Sequence, residues 1–188
     1  VHRSRYNEVV DHMSQKYKDL IVRPAINDGA LGPLISERQK SIVEDFISKG
    51  QRLNLVAQGE IDSSAPTKGH YVAPHLFADV SEDHILAKDE IFGPVQVIMP
   101  FDTEEEAISI ANGTDYGLVA SIWTNDGARQ MRLAKKLKSG QVFINNYGAG
   151  GGVELPFGGR GFSGHGREKG FEALYGFSTL KTVASYHQ

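Results

Sequence analysis

Tyr6, Val9, Val10, Met13, Tyr17 and Leu20 recur at the three- and four-residue spacing of one helical face. They predict an amphipathic helix near the amino end, with Ser4 placed to cap its first turn. Pro24 and the Asn27-Asp28-Gly29 cluster break that pattern into a loop. Ser36 and Gln39 then stand at capping-box spacing before a helix that buries Ile42, Val43, Phe46 and Ile47 and stops at Gly50. Residues 53–57 and 71–77 read as strands that can pair antiparallel across the Gly/Ser/Pro-bearing connection 59–69.

From Val95 the alternation becomes regular: strand 95–101, helix 104–112, strand 118–124, helix 127–138, strand 141–145. Thr103 with Glu106 caps the first of these helices, Asp126 the second, and Gly113 and Gly140 stand where helices end. Strands alternating with amphipathic helices predict an α/β fold, a mostly parallel sheet flanked by helices. A helical turn at 168–175 follows. An apolar, β-rich tail at 177–186 then predicts a terminal strand, with Leu180, Val183 and Tyr186 packing on the chain's own sheet or on another subunit's. The expected division is an α/β domain over residues 1–175 and a strand-like tail over 176–188.

Composition narrows the function. The chain has 188 residues, 40% of them hydrophobic, enough for an ordinary buried core. A net charge of −3 without a dense basic run argues against nucleic acid or an anionic membrane as partner. No apolar run is long enough to span a bilayer and the amino end carries no secretory pattern, so the expected compartment is the cytoplasm. The absence of cysteine excludes disulfides, thiolate metal sites and a cysteine nucleophile within these residues. The seven histidines are scattered, with no helical i, i+4 pair, so no metal site is expected. Valine as first residue, running almost at once into a helix, suggests a piece of a longer protein.

In parallel sheets ligands gather at the carboxyl ends of strands, and the last predicted strand ends at Asn145 and leads into the glycine-dense stretch 155–170. Gly159, Gly161 and Gly164 match a GxGxxG, but they follow no strand directly, open no long helix and have no acidic residue at the required distance. Gly161-Phe162-Ser163-Gly164-His165 approximates a nucleophile elbow but has His165 where glycine belongs. Both read as turns, and Asp102 and Glu104–Glu106 read as the solvated first turn of a helix. Asp89-Glu90-Ile91-Phe92-Gly93-Pro94 is more specific. By residue type Phe92 is a core residue, Gly93-Pro94 a turn and Glu90 a solvated charge. The alternative is a site, since a carboxylate can accept two vicinal ribose hydroxyls while an aromatic ring packs on a planar heterocycle.

Glu90-Ile91-Phe92-Gly93-Pro94, Asn112-Gly113-Thr114-Asp115-Tyr116-Gly117-Leu118, Val142-Phe143-Ile144-Asn145, and Leu155-Pro156-Phe157-Gly158-Gly159 with Ser163-Gly164-His165-Gly166-Arg167-Glu168 occur in this order. Together they resemble the carboxyl-terminal, catalytic-domain part of the aldehyde dehydrogenase superfamily over essentially the whole chain. The resemblance implies that Glu90 binds the nicotinamide-ribose hydroxyls of NAD or NADP and that Phe92 packs near the nicotinamide. It implies an aldehyde entrance at Tyr147, Gly148, Ala149 and Gly150, within a segment reaching Val153. It also implies a homodimer or homotetramer in which the tail joins an oligomerisation sheet. The family's reaction is thiolate attack on an aldehyde, hydride transfer to NAD(P)⁺ and hydrolysis of the thioester to a carboxylic acid. The nucleophile, general base and cofactor domain are expected upstream of Val1, so no catalytic residue is assigned here and the chain alone is expected to be inactive. The competing expectation is a stand-alone, non-catalytic oligomerisation or binding module derived from the same fold.

Overall fold

The computed structural model describes residues 1–148 and 152–187. The chain forms two compact units, Val1–Gly113 and Thr114–Gln188.

In the first unit, helix α1 (Tyr6–Lys18) is entered through a 3-10 turn at Arg3–Arg5. Ser4 is not the helix cap; its N–H donates to His2 Nδ1 at 3.2 Å, so the cap closes the 3-10 turn instead. Strand β1 (Ile21–Val22) follows, then helix α2 (Glu37–Lys49), whose first turn is capped by Ser36 Oγ accepting the Gln39 N–H at 3.2 Å. The spacing of Ser36 and Gln39 predicts that bond, but the Gln39 side chain does not reach back to complete the box. Strands β2 (Asn54–Gln58), β3 (Glu60–Ile61) and β4 (His75–Ala78) come next, then the one-turn helix α3 (Ile85–Lys88), strand β5 (Val95–Ile98) and helix α4 (Glu104–Ala111).

β2 pairs antiparallel with β4, as the sequence predicts, with a register shift between Leu55 and Ala57. β4 pairs parallel with β5, from His75 opposite Val95 to Ala78 opposite Ile98, and β1 pairs parallel with β3. The parallel partner of β5 is thus the strand before it, reached through α3. Four residues are too few to show helical periodicity, so this crossover leaves no pattern in the sequence. Alternation along β4 and β5 gives the sheet two apolar faces. Leu76 and Ile98 pack with Ala57 against Tyr6, Val10, Met13 and Tyr17 of α1. Phe77, Val95 and Val97 face Val43 and Phe46 of α2 and Leu86 of α3. The sheet is therefore the middle layer of a helix–sheet–helix sandwich.

Tyr6 ties α1 to the sheet by two hydrogen bonds. The Tyr6 side chain is 6% exposed; its hydroxyl donates to Ile98 O at 3.1 Å and accepts the Asp79 N–H at 2.7 Å. Burial raises the pKa of this phenol. At α4, Thr103 Oγ1 accepts the Glu106 N–H at 3.1 Å and the Glu106 carboxylate accepts the Asp102 N–H at 2.7 Å, so the acidic turn caps the helix as expected. Arg3 Nε donates to both carboxylate oxygens of Asp102, at 2.7 and 3.0 Å, and this bond holds the Asp102 pKa below the ordinary carboxylate range.

The second unit is built on a βαβ unit: β6 (Val119–Ile122), α5 (Gly127–Lys136) and β7 (Gln141–Ile144). The strands pair parallel from Val119 opposite Gln141 to Ile122 opposite Ile144. Asp126 caps α5 as predicted, its Oδ1 accepting the Arg129 N–H at 3.0 Å. α5 ends before residue 138, so Gly140 serves not as a helix stop but as the lead into β7, its N–H donating to Gly117 O at 3.0 Å. Helix α6 (Glu172–Gly176) starts later than its predicted position at 168. The tail 178–187 is in neither helix nor strand, and Leu180, Val183 and Tyr186 are exposed. The strand predicted at 177–186 does not form within the chain: a ladder needs a second row of backbone donors and acceptors.

Candidate functional site

The turn between α3 and β5 carries the residues singled out by sequence. Asp89 leaves α3 in extended conformation, and Ile91 is buried with Val43, Phe46, Phe77 and Leu86. Glu90 and Phe92 flank it and are both exposed, Phe92 to 72%. Composition alone makes Phe92 a core residue; the structure gives that position to Ile91 and displays the larger ring. Phe92 has φ of +53°, a conformation bulky residues rarely adopt without constraint. Three contacts impose it here. Ile91 is sunk in the core. Gly93 lies so close to Val43 that a Cβ would overlap both of its methyl groups, which requires glycine. Gln39 Nε2 donates to Ile91 O at 3.0 Å and Phe92 O at 3.1 Å. The result is an exposed carboxylate and an exposed aromatic ring, two residues apart, on a turn pinned to rigid elements. A carboxylate suits a diol and a ring face suits a planar heterocycle, so these side chains fit a nicotinamide nucleotide.

In the second unit, the segment after β7 starts at Asn145, whose φ is +49°. Its Oδ1 accepts the Thr124 N–H at 2.9 Å and its Nδ2 donates to Thr124 O at 3.0 Å, a two-bond link between the chain leaving β6 and the chain leaving β7. Beyond it, the Tyr147 ring is 74% exposed and its N–H donates to Asn146 Oδ1 at 2.8 Å, while Gly148 faces the Phe143 ring. Ala149 and Gly150, the other two residues assigned to the entrance, lie outside the described residues. Glu90 and Phe92 belong to the first unit, Tyr147 and Gly148 to the second.

The glycine-dense stretch 155–170 is a set of interlocked turns. Phe157 and Glu168 exchange backbone hydrogen bonds at 2.7 and 2.6 Å, closing a loop. Within it the Phe162 N–H donates to Asp115 O, the Ser163 N–H to Arg160 O and the Gly164 N–H to Gly161 O, at 2.9, 3.1 and 3.2 Å. Gly161, with φ of +57°, lies against the Asp115 carbonyl where no side chain fits. Ser163 Oγ accepts the Gly117 N–H at 3.1 Å. Amides that would have to point at a phosphate are thus spent on the protein's own carbonyls, and the serine of the would-be elbow holds a turn.

Gln39 and Asn145 carry these arrangements, and sequence reasoning assigned neither a site role. Gln39 reads as half of a capping box, and only contact with residues about fifty positions away reveals its other use. Among the described residues no group of three His, Cys, Asp or Glu side chains could hold a metal ion, and no helix is long and apolar enough to cross a membrane.

Comparison with known proteins agrees with this architecture. Residues 1–183 match the sequence model of the aldehyde dehydrogenase family. The betaine aldehyde dehydrogenase of Rhizobium leguminosarum bv. trifolii is 40% identical over 166 residues, covering 87% of this chain and 34% of that protein. A crystal structure from Burkholderia cenocepacia is 55% identical, with a TM-score of 0.94, covering 97% of this chain and 39% of that one. An aldehyde dehydrogenase from Mycobacterium tuberculosis, solved with NAD⁺, is 39% identical with a TM-score of 0.83, covering 94% of this chain and 37% of that one. The chain thus spans about a third of the length of the relatives it matches. From sequence and fold together, the chain belongs to the aldehyde dehydrogenase family.

Proposed function

We propose that this chain is the carboxyl-terminal part of an NAD(P)-dependent aldehyde dehydrogenase that oxidises a small aldehyde to a carboxylic acid. The observation that carries the reading is the turn displaying Glu90 and Phe92 in a chain of this family. The nicotinamide cofactor, when bound, accepts the hydride. Glu90 would accept hydrogen bonds from the ribose hydroxyls and Phe92 would limit the tilt of the ring, which keeps the reacting atoms in line. The segment at Tyr147 to Val153 would form part of the aldehyde entrance. The attacking thiolate and the general base are supplied by residues outside this chain, which contains no cysteine. The exposed apolar tail would add a strand to a neighbouring copy, giving a homodimer or homotetramer.

The test compares the full-length protein with the 188-residue chain in NAD(P)H production from a panel of aldehydes that includes betaine aldehyde, the compound named for several relatives. Turnover is expected from the former alone. Turnover by the purified chain would refute the division of labour, and none by the full-length protein would refute the activity. In the full-length protein Glu90→Gln keeps shape and removes charge, so it should lower kcat/KM about tenfold or more with unchanged melting; unchanged turnover would remove Glu90 from the site.

A further inference from the structure

We propose that Gln39 is a positioning residue for the cofactor: its side-chain amide straps down the turn that presents Glu90 and Phe92. What the turn holds rests on the proposed function, whereas the strap itself rests on geometry alone. A carboxamide nitrogen has two protons, and the carbonyls of Ile91 and Phe92 accept one each, at 3.0 and 3.1 Å. Because both partners are acceptors, the nitrogen and not the oxygen must face them. Two successive carbonyls converge on one atom here with Phe92 at φ of +53°. Rotating Phe92 back to negative φ would turn one peptide plane against the other and take a carbonyl off Nε2. The strap and the unusual backbone therefore support each other.

Gln39 is itself held. Its N–H is tied to the Ser36 cap, and Val43, one helical turn further along α2, is fully buried and seats Gly93. One face of one helix thus contacts three consecutive residues of the turn, 91 to 93, by two hydrogen bonds and a packing contact. The position of α2 is transmitted to the exposed carboxylate and ring.

The experiment uses the full-length protein carrying Gln39→Met, which keeps length and loses the donor, and Gln39→Lys, whose ammonium can donate to both carbonyls. In the Met variant, amide hydrogen exchange at Asp89 and Val95, whose N–H groups are hydrogen-bonded at the two ends of the turn, should be about tenfold faster, with the rest of the first unit within about twofold. Its kcat should fall about tenfold while the KM for cofactor stays within about threefold, the split expected when a reacting group is misplaced but still bound. The Lys variant should recover most of the protection. In a Phe92→Gly background, where positive φ is unstrained, Gln39→Met should change kcat less than about twofold. Unchanged exchange at Asp89 and Val95 in the Met variant would overturn the strap, as would equal loss in Met and Lys variants, which would assign the effect to packing. If the Met variant unfolds, protection in Lys compared with Gln39→Ala decides the same point. If the wild-type protein shows no aldehyde-dependent NAD(P)H production, the proposed function fails, and the exchange data still decide whether the strap exists.

Discussion

Gly93→Ala tests how firmly the site turn is seated. A Cβ built on Gly93 overlaps Val43 Cγ2 and lies 2.9 Å from Cγ1, whereas carbon atoms rest about 3.5–4.0 Å apart at contact. Val43 cannot swing aside: it is 0% exposed and packed among Phe46, Phe77, Leu86 and Ile91. The turn must therefore lift by about 1 Å, or the core must shift. Inserting one methyl into such a core costs about 1–3 kcal/mol. Because Gly93 follows Phe92 directly, the same displacement reaches the ring, and a shift of about 1 Å can cost on the order of 100-fold in rate. Val43→Ala alone removes two methyl groups worth about 0.8 kcal/mol each plus a cavity term, so about 2–3 kcal/mol. The double variant creates the space that the new methyl needs. Its loss should be smaller than the sum of the single losses by about 1–2 kcal/mol, measured by urea denaturation at constant m-value, with kcat/KM recovering in parallel. Additivity within about 0.5 kcal/mol would refute the claim that Val43 seats the turn.

Tyr6→Phe should cost about 1–3 kcal/mol, because it leaves the Asp79 N–H and the Ile98 carbonyl without their buried partner; a loss below about 0.5 kcal/mol would show that water replaces the hydroxyl. At position 145 the usual ranking should invert: Asn145→Gly keeps the φ of +49° and Asn145→Ala does not, so alanine should be the less stable by about 1 kcal/mol in chemical denaturation. Asp102 has a folded pKa below its unfolded value, first through its hydrogen bond to Arg3. Its contribution is therefore complete above the ordinary carboxylate pKa and is lost as pH falls through the lower folded value. Urea melts from pH 2 to 7 should show wild type and Asp102→Asn converging at the acid end and separating above it; a constant gap would contradict the linkage.

The helices were legible because their signals are local. The caps at Ser36, Thr103 and Asp126 each need only a side chain and an N–H three residues ahead, and all three form. The strand pairs 54–58 with 75–78 and 119–122 with 141–144 follow from alternation and intervening lengths. What escaped depends on contacts distant in sequence. Phe92 resembles a core residue by composition, and only the competition with Ile91 for one pocket, decided by Val43 and Gly93, exposes it. Tyr6 looks like any member of an apolar stripe until its hydroxyl meets residues 79 and 98. The tail has the composition of a strand, and composition carries no information on which backbone would pair with it. The motif Glu90–Pro94 marks this turn in the sequence, but the two hydrogen bonds that Gln39 donates to its carbonyls come from a helix about fifty residues away.

The parallel register of β4 and β5 bears on how this family can vary in length. The site turn feeds directly into β5, where Val95 and Val97 belong to one apolar face and Ile98 to the other. One residue added between Phe92 and Val95 would either invert that alternation, sending each side chain to the wrong layer, or be forced into the turn against Val43. Insertions and deletions at this point therefore act against both a packed sheet and the seat of Gly93 on Val43. Length drift among descendants of this sequence should accumulate in the solvated connection at 62–69 and stay out of 91–95.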